Sequence, residues 1–382
     1  MPGFELINKK EKSAVNKLFD EGGVLFAHGF NKLRKKFHVR EFESQAKKKI
    51  GTKFALAVSS GTSATLIALK ALGVKKGDEV ITQAFNFIAT VEAIIEAGAK
   101  PIVVNIDETL NMCPKELKKS ITKKTKAIIP VHMLGVSAKM NEIKKIANQN
   151  KIKILEDNCE SMGAKFDEKY LCSIGDIGVV SLDYGKTITT GEGGIIFTNN
   201  EKMFKICREY HDHGHELNPK YTRGMDTKRM TGFNYRMTEL QAVVGKEQLK
   251  KLDYILKENK VRYESLFNVI KKVSLLNFRV IPKESKQIYD TLIFKCQNQK
   301  IKKKIINILN TGGFGTKNLP DAIKWHCAYY WNHALNLNQI KKVKKTSDIL
   351  KESIAIPIWL KKNKQDYKKL GDKILKIIHD KK

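Results

Sequence analysis

From about residue 44 to residue 200, short apolar runs alternate with segments of helical periodicity, and this alternation narrows the fold more than any other feature. The strand-like runs are FALAVSS (54–60), EVITQ, PIVVNID, KAIIPVHM, IKILED, VVSLDY and GIIFTN. Between them lie TSATLIALKALG (62–73), which a glycine ends, and then IATVEAIIEAG, CPKELKKSI and MNEIKKIANQN. Strands that are apolar throughout are buried on both faces, so the pattern predicts a mainly parallel sheet covered by helices on either side. A proline-free helical stretch, 236–268, leads from this unit to a smaller one. There, strand-like TLIFKCQ and AIPIWL and the helical KQDYKKLGDKILKII are the clearest elements.

The formal net charge is +31, spread along the chain in KLRKKF, KKSITKKTK, KKVKK and KKNKQDYKK. A nucleic-acid surface concentrates its charge on one face; lysines scattered over helix faces read as a solvated surface. No nucleic-acid partner is expected, although an anionic small substrate would benefit from such a field. The six cysteines form no CxxC pair, no stretch reaches about 18 uninterrupted apolar residues, and MPGFELINKKEK lacks an apolar core. Reduced thiols, a cytoplasmic location and no membrane insertion are the expectations.

The motif SLDYGKTITTGEGG (181–194) contains "GKT", the ending of a phosphate-cradling P-loop. That loop needs four residues between its glycines. Here six, VVSLDY, separate Gly178 from Gly185, and they read as a strand, so the P-loop fails on spacing. No GxGxxG follows a strand, which sets aside a nicotinamide site. His211, His213 and His215 alternate in HDHGHE, but with no supporting ligand framework a loop lining a polar site is preferred to a metal.

Covalent lysine chemistry accounts for more. Lys186 follows a strand and precedes a glycine-rich turn, which places it in a crevice at a strand's carboxyl end, as a Schiff-base lysine requires. Asp157 ends IKILED, where a carboxylate is able to pair with a protonated pyridine nitrogen. SSGTSAT (59–65) is a strand-to-helix turn with N–H groups free for a phosphate; a simple helix cap explains Thr62 and Ser63 equally well.

In the order SSGTSAT, GDEVITQAFNFIATVEAIIEAGAKPIVVNID, TKAIIPVHMLG, ILEDNCESMGAKF, GDIGVVSLDYGKTITTGEGG and GFNYRMTELQAVVGKEQLKKLD, these stretches resemble the DegT/DnrJ/EryC1/StrS sugar aminotransferases. The resemblance implies an aspartate aminotransferase-like, fold type I α/β enzyme that uses pyridoxal 5'-phosphate. It implies a large domain (1–255) with a seven-stranded mixed sheet and a small C-terminal domain (256–382). Lys186 matches the catalytic lysine, and Asp157 the partner of the pyridine nitrogen. Phe87 matches the ring stacked on the cofactor, and Thr62, Ser63 and Ser181 match the phosphate contacts. Asn234 matches a residue reaching the phosphate of the neighbouring subunit, which implies a homodimer with shared sites. Where many members carry EDAAQ, this chain has EDNCE; a carboxylate beside the phenolic oxygen is repelled unless Glu160 is protonated or the hydrogen bonding is rearranged.

The family's 3-dehydratases replace the lysine by histidine, so Lys186 implies transamination from glutamate to an anionic keto sugar. MPGFEL, DHGHE, VHMLGVSAKMNEIK and the W-H…W-x-H pattern of Trp325, His326, Trp331 and His333 are similar to the branch making 8-amino-3,8-dideoxy-manno-octulosonate, a lipopolysaccharide sugar. His213, His215, Trp325 and His326 are then substrate-contact candidates. The alternative acceptor is a nucleotide-linked 4-keto-6-deoxyhexose, as in perosamine synthesis. A charge-driven surface binder and a non-catalytic regulatory member of the fold are the rival classes.

Overall fold

The computed structural model describes residues 3–379. The chain enters through α1 (Lys9–Asp20) and α2 (His38–Ile50), after which the expected alternation follows closely. β1 (Phe54–Val58), α3 (Gly61–Ala71), β2 (Glu79–Gln83), α4 (Ala89–Glu96), β3 (Lys100–Val104), α5 (Pro114–Ser120), β4 (Thr125–Ile129), α6 (Met140–Gln149) and β5 (Lys153–Asp157) come first. Two-residue strands β6 (Lys165–Phe166) and β7 (Lys169–Tyr170) form a hairpin, and β8 (Ile177–Ser181) and β9 (Gly194–Thr198) flank the Lys186 loop.

Seven strands make one sheet in the order β1-β9-β8-β5-β4-β2-β3. β2, β3, β4, β5 and β8 pair in parallel, whereas β9 runs antiparallel to both β1 and β8. The sheet is therefore mixed, and its carboxyl ends at β5 and β8 lie side by side. β8 and β9 are buried at every position, as an interior strand covered on both faces must be.

The helical stretch expected over 236–268 is two helices, α7 (Glu201–Tyr210) having preceded them: α8 (Glu239–Lys250) and α9 (Leu252–Ile270) meet at Lys251. Leu252 and Ile255 of α9 pack into the large core around Phe42, Val180 and Phe197; Tyr263, Leu266 and Ile270 pack into a separate core with Phe294, Ile354 and Tyr367. A division at 255/256 thus passes through a continuous helix. Residues 1, 2 and 380–382 of those expected domains lie outside the described residues.

The second core surrounds a three-stranded sheet of β10 (Asn277–Phe278), β12 (Thr291–Lys295) and β13 (Ser353–Pro357), with α10 (Gln299–Thr311) and α14 (Lys364–His379) against it. β11 (Ser285–Lys286) instead joins β6 of the large unit. The stretch holding α11 (Ile323–His326), α12 (Leu337–Lys342) and α13 (Lys344–Glu352) also turns back: Trp331, Leu335, Ile340 and Val343 are buried against Ala84, Ile88 and Val91. Among the described residues, no helix is long and apolar enough to cross a membrane.

Candidate active site

A cavity of about 570 Å³ opens where β1, β5 and β8 end. Thr62, Phe87, Asp157, Glu160, Ser181, Lys186 and His326 all line it. Residues as far apart in sequence as Phe4 and Trp359 meet there, with the ends of the parallel strands β5 and β8 at its centre.

At the floor, α3 begins directly after β1. Ser60 caps it: the Ser60 hydroxyl accepts from the Ser63 N–H at 3.0 Å, and the Ser63 hydroxyl in turn accepts from the Ser60 N–H at 3.0 Å. This reciprocal pair ties up the buried Ser63 side chain, which does not line the cavity, so for Ser63 the capping explanation describes its position. The first N–H groups of a helix have no intrahelical acceptor, and those of Gly61 and Thr62 stay available beside the Thr62 and Ser181 hydroxyls. A Cβ on Gly61 would lie 2.8 Å from Ser181 Cβ, so only glycine lets the helix start sit this close to β8. The result is an anion cradle of main-chain donors and hydroxyls at a helix N-terminus.

Asp157 ends β5 with both oxygens engaged. Oδ2 accepts from the Thr90 hydroxyl at 2.7 Å, and Oδ1 from the Cys159 N–H at 3.1 Å. Phe87 stands opposite on the wall, half-exposed, with Trp325 stacked on it at 6.4 Å and the His326 ring 5.4 Å away. His326 reaches this wall because 85–87 and 326–327 run together, joined by a bridge between Phe85 and Cys327 and by the Asn86 N–H donating to the His326 carbonyl. Its Nδ1 is 2.9 Å from the Ala322 carbonyl, and burial pushes its pKa below the ordinary histidine range.

Lys186 Nζ donates to Glu160 Oε1 at 2.5 Å. Burial would raise the Glu160 carboxyl, but Lys186 and Lys317 outweigh it and hold it at about 2; burial likewise opposes the Lys186 charge, which Glu160 more than restores, so the lysine titrates above its usual range. Glu160 is thus paired with Lys186, and Lys186 and Lys317 balance its charge. Glu160 Oε2 is buried without a hydrogen-bond partner, as is Asn318 Nδ2 on the same cavity. A planar, phosphate-bearing ring with polar substituents fits this donor set: anion cradle, carboxylate, aromatic wall, amine and unpaired polar atoms.

Other expected contacts lie elsewhere in the chain. His215 Nδ1 bonds Asp226 Oδ2 at 3.2 Å, and His211 is buried against His28, so the alternate histidines diverge. Neither His213 nor His215 lines the cavity, and nor does Asn234, whose side chain accepts from the Arg236 N–H. In the W-H…W-x-H pattern only His326 faces the cavity; Trp331 is core, His333 is exposed, and Trp325 is reached only through Phe87. Of the MPGFEL stretch, Met1 and Pro2 lie outside the described residues, while Phe4 lines the cavity and stacks on Tyr184 at 4.9 Å. Thr90, Cys159 and Lys317 are lining residues the sequence did not signal.

Comparison with known proteins agrees with this geometry. The model of the DegT/DnrJ/EryC1/StrS aminotransferase family matches residues 26–375. A GDP-perosamine synthase of Escherichia coli O157:H7 is 34% identical over 283 residues, 74% of this chain and 73% of that protein. An aminotransferase from Psychrobacter cryohalolentis has a similar structure, with a TM-score of 0.88, 25% identity and 98% of each chain covered. An E. coli GDP-4-keto-6-deoxy-D-mannose-3-dehydratase with bound hydrated PLP is similar at TM-score 0.81, 27% identity and 97% of each chain.

Proposed function

The chain belongs to the DegT/DnrJ/EryC1/StrS aminotransferase family, and from that premise we propose that it aminates a nucleotide-linked keto sugar, with glutamate as donor. It is a pyridoxal phosphate-dependent sugar aminotransferase of polysaccharide biosynthesis, with the type I fold. The finer reading of the acceptor follows the relative named as a GDP-perosamine synthase. That relationship favours the 4-keto-6-deoxyhexose alternative over the octulosonate acceptor that the resemblance had put first.

The observation that carries the reading is Lys186, lining a cavity that also presents Asp157 and the α3 cradle. Lysine rather than histidine at this position supports transamination over dehydration. When bound, the cofactor supplies an aldehyde that exchanges amines and a ring that stores an electron pair. The N–H groups of Gly61 and Thr62, with the Thr62 and Ser181 hydroxyls, would hold its phosphate. Asp157, fixed by Thr90, would hold the protonated pyridine nitrogen, and Phe87 would supply an aromatic surface for the ring. Lys186 Nζ, as the neutral amine, would take the donor's Cα proton and, in the second half of the reaction, would deliver a proton to the sugar carbon that carries the new amino group. His326 and the small-domain residues Thr316 and Asn318 close the wall where the sugar enters.

A second subunit completes the proposed enzyme. Phe30 and Leu33 between α1 and α2, and Met225 and Phe233 on the loop that carries Asn234, are more than half exposed, which supports burial against a second copy of the chain. Sedimentation gives the stoichiometry. The substrate test is product mass after incubation with glutamate and either GDP-4-keto-6-deoxymannose or the octulosonate 8-aldehyde. Amination of the nucleotide sugar supports the reading; exclusive amination of the free acidic sugar overturns it.

A further inference from the structure

Lys186 and Glu160 are one end of a longer chain of buried charge. Glu160 Oε2 lies 3.9 Å from Lys317 Nζ, too far for a hydrogen bond but close for two charges out of water. Lys317 Nζ donates instead to Asp290 Oδ2 at 2.6 Å. From Asp290 to Lys317 to Glu160 to Lys186 the signs alternate, and side-chain exposures are 0%, 8%, 6% and 16%. Glu160 and Lys186 follow β5 and β8. Asp290 immediately precedes β12, and Lys317 is fixed by its N–H on the Ala355 carbonyl of β13. Half of the chain of charges is therefore built on the sheet of the second core.

A lysine reacts through its neutral amine, so whatever holds its proton governs its reactivity. Glu160 holds that proton in place. Lys317 competes for the same carboxylate, and Asp290, only 2.6 Å from Lys317, limits the competition. We propose that Glu160, Lys317 and Asp290 are positioning residues that together set the proton affinity of Lys186. Glu160 raises it, Lys317 lowers it, and Asp290 restrains Lys317. The other titratable groups facing this cluster are Asp183 and Cys159 beside Lys186, His326 beside Glu160 and Arg279 beside Asp290. They stay the same in every variant below. The proposal rests on Lys186 being the amine that meets the cofactor.

The test is competitive acetylation of the cofactor-free, full-length protein by acetic anhydride, with the Lys186 peptide quantified by mass against an exposed lysine. Below its midpoint a lysine is labelled in proportion to its neutral fraction, so a shift of one pH unit reads as about tenfold in rate. Glu160→Gln should raise Lys186 labelling about tenfold or more. Asp290→Asn should raise it by less, and Lys317→Met should lower it. Unchanged labelling in Glu160→Gln overturns the proposal, as does movement of the Lys317 and Asp290 variants in the same direction. Should Asp290→Asn not fold, as judged by circular dichroism, the opposite signs of the other two variants still decide. Borohydride reduction of the cofactor-loaded wild type separately tests the premise: a tag absent from Lys186 sinks the function of that lysine, whatever the labelling rates are.

Discussion

Both carboxylate oxygens of Asp157 are already hydrogen-bonded within the chain, one to Thr90 and one to the Cys159 N–H, so its orientation does not depend on a ligand. Replacing it with Asn keeps the shape but loses the charge that keeps a pyridine nitrogen protonated. Asp157→Asn should retain cofactor yet lose about a hundredfold or more in kcat/KM, since the charge matters chiefly in the transition state. Thr90→Val should cost about tenfold, the worth of one hydrogen bond to a charged group. Steady-state kinetics with glutamate read both; equal losses in the two variants would contradict an orienting role for Thr90. The placement of Asp157 and Lys186 was legible in the sequence because Asp157 ends one apolar strand and Lys186 lies in the loop after another. Thr90 lies 67 residues from Asp157 in the chain, and Lys317 is carried by a different sheet; no local pattern reports such meetings. Ser63 takes part in the cap of α3, and a capping serine and a phosphate-binding serine occupy the same kind of turn, so sequence alone does not separate the two.

At the scale of elements, the approach of α3 to β8 and β9 decides whether an anion is held. A Cβ on Gly194 would lie 2.4 Å from the Ser60 carbonyl oxygen, and one on Gly61 2.8 Å from Ser181 Cβ. Gly61→Ala should therefore lift the first turn of α3 and weaken cofactor binding by about tenfold or more, with helix content unchanged. A dissociation constant measured by cofactor fluorescence checks this; unaltered binding would mean that the turn has slack. The segment from α11 to α13 docks on the large unit through Trp331, which is 1% exposed and donates to the Lys324 carbonyl at 3.0 Å. Trp331→Ala should cost about 3–5 kcal/mol, and it should disturb His326, five residues earlier on the same segment. Denaturant midpoints give the first quantity and substrate KM the second. The long strands and amphipathic helices were readable from periodicity. The break at Lys251 and the two-residue strands β6, β7 and β11 were not, because a helix junction without proline or glycine and a pairing of two residues leave no periodic trace.

For the molecule as a whole, the net charge of +31 is not expressed in the cavity of a single chain. Its lining carries Asp157, Glu160, Asp183 and Glu192 against Lys186 and Lys317. The charge bears instead on stability, where it has to be separated from buried groups that titrate in acid. His28 and His211 lie with their Nε2 atoms 3.4 Å apart beside Asp212, which Arg223 and Arg236 bind. Burial, with the neighbouring His211, holds His28 down at about 3, and burial holds His211 at about 4. Both values lie below the ordinary 6.5, so the folded chain binds fewer protons than the unfolded one. The stability tied to this pair is complete above 6.5 and is lost as pH falls toward 4 and 3. Glu160, held at about 2 against 4.5, adds a second loss of the same sign in the window below 4.5. Below 6.5 each unfolded histidine binds a proton that its folded counterpart does not, so the pair already costs stability at about pH 5.5. Self-repulsion among surface lysines also destabilises the fold, but salt screens it, and a buried pair is screened far less. Thermal melts between pH 7 and 5 at low and high salt separate the two causes. The midpoint should fall with pH at both ionic strengths, and His28→Asn with His211→Asn should flatten that slope while lowering stability at neutral pH. A slope that disappears in high salt, or that survives the double substitution unchanged, would assign the acid sensitivity to the lysine-rich surface instead.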